Sequence, residues 1–147
     1  MIGGLNHIAL IVADLEASIE RFQRVLGATL RERSFLPESR TDVAVLEIGG
    51  VHLELLSARE EDTKVGRLLK ERGEGIHHIS FHVQGLEAEL ECLRERGARV
   101  LDPRPRAGLH GRRIAFLDLG TSGEILIELA EEPSESVDGG SRDERCD

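Results

Sequence analysis

The sequence has no tryptophan and no tyrosine, and its only aromatic residues besides histidine are four phenylalanines. No phenol is therefore available as a proton donor or metal ligand, and the core has to be built from Leu, Ile, Val and Ala. Cysteine is equally scarce. Cys92 falls within a helical pattern and Cys146 in a polar tail, which suggests neither a disulfide framework nor a thiolate metal site. No apolar run approaches the ~20 residues of a membrane span, and the N-terminus lacks the basic-then-apolar pattern of a signal peptide. A soluble, cytoplasmic protein is expected. Basic residues are outnumbered, 19 Lys and Arg against 28 Asp and Glu, for a formal charge of -9, which excludes a general nucleic-acid binder. The excess is uneven, because residues 131–147 hold seven acids and two arginines. That tail has almost nothing to bury and is expected to be disordered.

What the sequence does have is an internal duplication. Asn6-His7-Ile8-Ala9-Leu10-Ile11-Val12 superposes on His77-His78-Ile79-Ser80-Phe81-His82-Val83, with His7 falling on His78. Eight residues beyond each His stands Leu-Glu-Ala, at Leu15 and at Leu86, opening a helical pattern that ends at Gly27-Ala28 or Gly97-Ala98. Each copy closes on a strand in which a Glu sits between apolar residues, Leu53-Glu54-Leu55 and Ile127-Glu128-Leu129. Period-two alternation and helical spacing give β-α-β-β-β in both copies. Asp14 is placed as a helix N-cap, Gly49-Gly50 as a hairpin turn, and Thr63 as the cap of a short linker helix. The expected organisation is a first module over 1–57, a linker over 58–74, a second module over 75–130 and the tail over 131–147. The expected class is α+β, with two tandem modules forming a cup-shaped, mixed, curled sheet and helices outside.

Each copy thus offers one imidazole at a strand start and one carboxylate on its last strand. A carboxylate inside an apolar strand is costly unless it is paired or bound to a metal. Two imidazoles and two carboxylates at matching places suit a divalent ion with mixed nitrogen and oxygen ligation and open positions for water or substrate. They do not match a closed structural zinc site. His77 neighbours His78 and is read as structural or supporting. His52 and His82 are read as partly buried or surface residues. Arg104, Arg106, His110, Arg112 and Arg113 form the one dense basic run, and arginine forks bind phosphates well.

Four stretches carry a family resemblance: Leu5-Asn6-His7-Ile8-Ala9; Leu36-Pro37-Glu38; Gly75-Ile76-His77-His78-Ile79; and Gly108-Leu109-His110-Gly111-Arg112-Arg113 with Ile127-Glu128-Leu129. With them the chain resembles the vicinal-oxygen-chelate superfamily, which includes glyoxalase I, extradiol dioxygenases and bleomycin- or fosfomycin-resistance proteins. Within it the likeness is to the methylmalonyl-CoA epimerases. The resemblance implies His7, Glu54, His78 and Glu128 as metal ligands and Glu38 as a catalytic base; inversion requires a second group to return a proton on the opposite face, a role open to Glu128 if it is labile at the metal. It implies a divalent ion, cobalt favoured and manganese, magnesium, nickel or zinc compatible. It also implies a coenzyme A thioester substrate contacted by Arg104, Arg106, His110, Gly111 and Arg112, and a homodimer. Two positions depart from these epimerases: Asp118-Leu119, where His-Pro is common, and Ser39-Arg40, where a Gly commonly follows the Glu. The alternatives are glyoxalase-type isomerisation of a glutathione hemithioacetal and metal-free sequestration of an antibiotic. An extradiol dioxygenase is disfavoured by the absence of tyrosine.

Overall fold

A computed structural model describes residues 1–134. Its elements run β1 (Ile2–Ile11), α1 (Leu15–Leu26), β2 (Thr29–Leu36), β3 (Thr41–Ile48), β4 (Val51–Ala58), α2 (Lys64–Arg72), β5 (Gly75–Val83), α3 (Leu86–Glu95), β6 (Arg99–Val100), β7 (Arg106–Ala107), β8 (Arg113–Asp118) and β9 (Leu126–Glu131). The class is α+β, as the periodicity predicts. The chain divides into two compact units, Asn6–Ile79 and Met1–Leu5 with Ser80 onward, so β1 and β5 each contribute to both.

In the unit of residues 6–79, β1 pairs in parallel with β4, while β2, β3 and β4 form an antiparallel meander. Gly49 and Gly50 both have positive φ, 55° and 82°. This is the backbone that a two-residue hairpin turn requires and that glycine adopts without steric cost. α1 begins where the Asp14 carboxylate accepts from the Ala17 N–H at 2.9 Å, and it ends at Gly27 in the left-handed conformation. Its Ile19 packs with Val12, Ala44, Leu46 and Leu55. Since side chains alternate across a strand, this core uses one sheet face. The opposite face receives His7, Ala9, Glu54 and Leu56. Burying Ile19 in this way is worth about 1.5–3 kcal/mol.

The other unit repeats the scheme. α3 inserts Leu86 and Leu90 against Val83, Ala115, Leu117 and Leu129, and β8 pairs antiparallel with β6, β7 and β9. Residues on the face turned away from α3 include Ser80, Phe116 and Glu128. Two short elements depart from the expectation. The proline- and arginine-rich segment 102–106 runs into β7, which pairs with β8, and Leu109–Gly111 form a 3-10 turn. Cys92, on α3, is half-buried, the boundary position that its place in the helical pattern suggests. Cys146 and most of the expected tail, residues 135–147, lie outside the described residues, and Glu131 closes β9. Among the described residues, no helix is long and apolar enough to cross a membrane.

Candidate functional site

Strand register explains why a His and a Glu far apart in sequence meet. Ala9 of β1 pairs with Glu54 of β4, and paired residues share a sheet face. His7, two residues before Ala9, points to that same face and is the diagonal neighbour of Glu54. His7 Nε2 lies 3.3 Å from Glu54 Oε2. It also lies 3.0 Å from Nε2 of His78, with the two rings edge to face at 74°. All three side chains are buried, at 4%, 8% and 6% exposure for His7, Glu54 and His78, so Glu54 is not the solvent-facing residue of a half-exposed sheet. The duplication therefore brings together His7, Glu54 and His78 within one unit.

Two neighbours orient the imidazoles. His7 Nδ1 donates to Asn6 Oδ1 at 2.8 Å. An amide oxygen only accepts, so the contact puts the ring proton on Nδ1 and the lone pair on Nε2. His78 Nδ1 lies 2.7 Å from Nδ1 of His77, which gives His77 the supporting role expected of it. This arrangement fits a metal. Two ligands at about 2.0–2.1 Å from one ion, at angles between right and tetrahedral, stand roughly 2.9–3.4 Å apart. The distances of 3.0 and 3.3 Å about His7 Nε2 fall in that range. Nδ1–H held by an amide oxygen is also the usual support of a metal-binding histidine.

Glu128 belongs to the other unit. It sits on β9 opposite Phe116 of β8 and is 5% exposed. The Ser80 hydroxyl donates to its Oε1 at 2.8 Å. Burial pushes its carboxyl up to about 7, against the opposing pull of the Ser80 hydrogen bond and the guanidinium charges of Arg106 and Arg112. Arg106, whose guanidinium lies over the Phe116 ring at 5.2 Å, thus stands on the same sheet face as Glu128. Ser80 did not emerge from the sequence, although it lies two residues beyond His78 on the same strand face.

The basic run is less bare than its composition suggests. Arg106 Nε is 3.2 Å from Asp102 Oδ1, Arg112 Nε donates to Glu132 Oε1 at 2.7 Å, and Arg113 pairs with Glu87 and Glu131. Arg104 and His110 are exposed. His110 and Gly111 both have positive φ, 59° and 71°, and the Gly108 N–H closes the segment by donating to Arg112 O at 2.9 Å. Glu38 lies exposed in the turn between β2 and β3. His52 and His82 are about half exposed, with His52 Nε2 3.7 Å from Glu47 and His82 Nδ1 3.8 Å from Glu132.

Known proteins share this sequence and fold. Residues 6–116 match the model of the glyoxalase/bleomycin resistance protein/dioxygenase superfamily. The chain is 36% identical over 131 residues to an ethylmalonyl-CoA/methylmalonyl-CoA epimerase of Cereibacter sphaeroides, covering 88% of this chain and 98% of that one. It is 33% identical over 129 residues to the mitochondrial methylmalonyl-CoA epimerase of Bos taurus, covering 87% and 74%. Among solved structures, a Streptomyces coelicolor methylmalonyl-CoA epimerase variant in complex with 2-nitronate-propionyl-CoA superposes with a TM-score of 0.83 at 31% identity. That match covers 91% of this chain and 100% of the other.

Proposed function

Because the chain belongs to the glyoxalase/bleomycin resistance protein/dioxygenase superfamily, and within it to the methylmalonyl-CoA epimerases, we propose that it is a metal-dependent epimerase that interconverts (2R)- and (2S)-methylmalonyl-CoA. The observation that carries this reading is the buried pair His7 and His78, whose Nε2 atoms meet 3.0 Å apart with Glu54 beside them, in a chain so similar to named epimerases. His7, Glu54, His78 and Glu128 are assigned as ligands of one divalent ion. The chemistry of the donors admits cobalt, the favoured ion, as well as manganese, magnesium, nickel or zinc. Such an ion, when bound, supplies Lewis-acid stabilisation to negative charge developing on substrate oxygens.

The rest of the work falls to the side chains. Carbon 2 of the substrate lies between a thioester carbonyl and a carboxylate, which makes its proton acidic. Glu38 is assigned as the base that takes it on one face, and Glu128 as the group that returns a proton on the other. Glu128 can hold that proton when its carboxylate is detached from the ion, and burial then favours the protonated form. Arg104, Arg106, His110, Gly111 and Arg112 are assigned to the coenzyme A moiety. Guanidinium forks supply charge for its phosphates, and the consecutive left-handed residues His110 and Gly111 bring backbone to the surface. A cytoplasmic homodimer completes the proposal.

The test is deuterium incorporation at carbon 2 of (2R)- or (2S)-methylmalonyl-CoA in D2O, with apo protein and with each divalent metal. Metal-dependent exchange with inversion, lost in Glu38→Ala, is the expected result. Absence of exchange with every metal overturns the proposal. Turnover of a glutathione hemithioacetal would then assign a glyoxalase, and stoichiometric antibiotic binding without turnover a sequestering module.

A further inference from the structure

The turn that carries Glu38 is fastened at both ends to one other segment. Arg40, its last residue, is not a glycine, yet it has a φ of 50° in the left-handed region, where a side chain is disfavoured. Something must hold it there. Its guanidinium reaches across to the loop after β4, pairing with Glu60 through Nη1 and with Asp62 Oδ1 through Nη2 at 3.2 Å. A second pair runs in the opposite sense. Arg59, from that loop, donates from Nε and Nη2 to the two carboxylate oxygens of Asp42 at 2.8 and 2.7 Å, just after the turn. The same guanidinium covers the Phe35 ring at 3.9 Å, just before it.

The anchoring loop is itself stiff. Thr63 Oγ1 donates to Glu60 O at 2.9 Å and accepts from the Gly66 N–H at 3.0 Å. Gly66 packs so closely that a Cβ there would lie 2.4 Å from Glu60 O. An exposed pair of long side chains contributes little to stability, but reciprocal pairs between a turn and a rigid loop restrict where the turn can go.

Resting on the assignment of Glu38 as the base, we infer that Arg40 is a positioning residue, clamping the Glu38 turn to the loop Glu60–Asp62 so that the carboxylate is presented in one place. Positional precision of this kind is worth large factors in rate, since a displacement of about 1 Å can cost ~100-fold.

Arg40→Gly separates positioning from stability, because glycine relieves the left-handed strain while removing the tether. In the metal-loaded enzyme, R40G is expected to keep or raise Tm, to leave KM for methylmalonyl-CoA unchanged, and to lower kcat about tenfold. E60Q/D62N, which removes the tether from the other side, is expected to give the same loss, and R40K to recover part of it. Salt screens exposed pairs, so kcat of the parent at saturating substrate falls in 1 M NaCl while that of R40G stays flat. On an E38Q background R40G is expected to add no further loss, since it acts through that carboxylate. Unchanged kcat in R40G, a loss of kcat that tracks a loss of Tm, or additivity with E38Q overturns the clamp and leaves the base assignment standing. Full activity in E38Q overturns both.

Discussion

His7 Nε2 and His78 Nε2 lie 3.0 Å apart in a buried site, a separation at which two imidazole nitrogens need a proton or a cation between them. Asn6 decides which. By accepting from His7 Nδ1 it leaves the His7 lone pair on Nε2, the tautomer a metal needs. Asn6→Ala removes that control without touching a ligand. It is expected to weaken divalent-metal affinity by about 10–100-fold, read by calorimetric titration of cobalt or manganese into the apo protein. Unchanged affinity would remove Asn6 from the metal-binding assignment.

Metal binding to such a site is linked to stability, because an ion that binds only the folded chain adds RT ln(1 + [L]/Kd). At a hundredfold excess over Kd this is about 2.7 kcal/mol, which raises Tm by roughly 5–10 °C in a chain of this size. Thermal melts with and without cobalt are expected to show the shift in the parent and to lose it in His7→Ala and in His78→Ala. A shift that survives both substitutions would place the ion elsewhere.

The parts of the fold and of the candidate residues that were legible in the sequence were those that leave a periodic or repeated trace. His7 and His78 stood out because the chain repeats around them, and Glu54 and Glu128 because each interrupts an apolar strand. Asp14, Gly27 and Gly49-Gly50 announced their caps and turn by residue type alone. Strand β7 left no trace, since two residues define no period. Ser80 left a faint one, sharing a strand face with His78. The clamp around Glu38 was not legible at all. Arg40 and Glu60 are 20 residues apart, and only the register of β3 against β4, with Thr41 opposite Ala58, brings their segments side by side. The ion pairs of the arginine run with Asp102, Glu87, Glu131 and Glu132 were not legible either, because they depend on contacts that composition does not record.

The β8–β9 connection depends on Asp118. Its Oδ1 accepts from the Gly120 and Ile125 N–H groups at 2.8 and 3.0 Å, and Arg99 approaches Oδ2 at 3.2 Å. These hydrogen bonds, aided by Arg99, hold its carboxyl below the ordinary value. A depressed carboxyl contributes stability that is present above its unfolded value of about 3.9 and lost as pH falls through the lower folded value. Asp118→Asn is therefore expected to lower the urea midpoint at pH 7 and to converge with the parent near pH 2. In the same turn a Cβ on Gly120 would lie 1.5 Å from Gly123 O. Gly120→Ala is expected to destabilise by about 2 kcal/mol or more, measured by the same urea titration. A neutral G120A would show that the turn has room to open.

Glu128 behaves in the opposite sense to Asp118. Burial raises its carboxyl from 4.5 to about 7. Between those values the folded apo protein binds more protons than the unfolded chain, so its stability falls as pH rises through that window and levels off above it. The drop assigned to this one group is on the order of 3 kcal/mol, from about 1.4 kcal/mol per unit of pKa. Urea unfolding of metal-free protein at pH 5 and pH 8 is expected to show it in the parent. Glu128→Gln, which cannot ionise, should lack that drop and be the more stable of the two at pH 8. Ser80→Ala removes the hydrogen bond that favours the charged form, and is expected to move the window upward and deepen the drop. Parallel pH profiles for the parent and E128Q would mean that the carboxylate is hydrated in solution. Proton return by a desolvated Glu128 carboxyl would then be excluded.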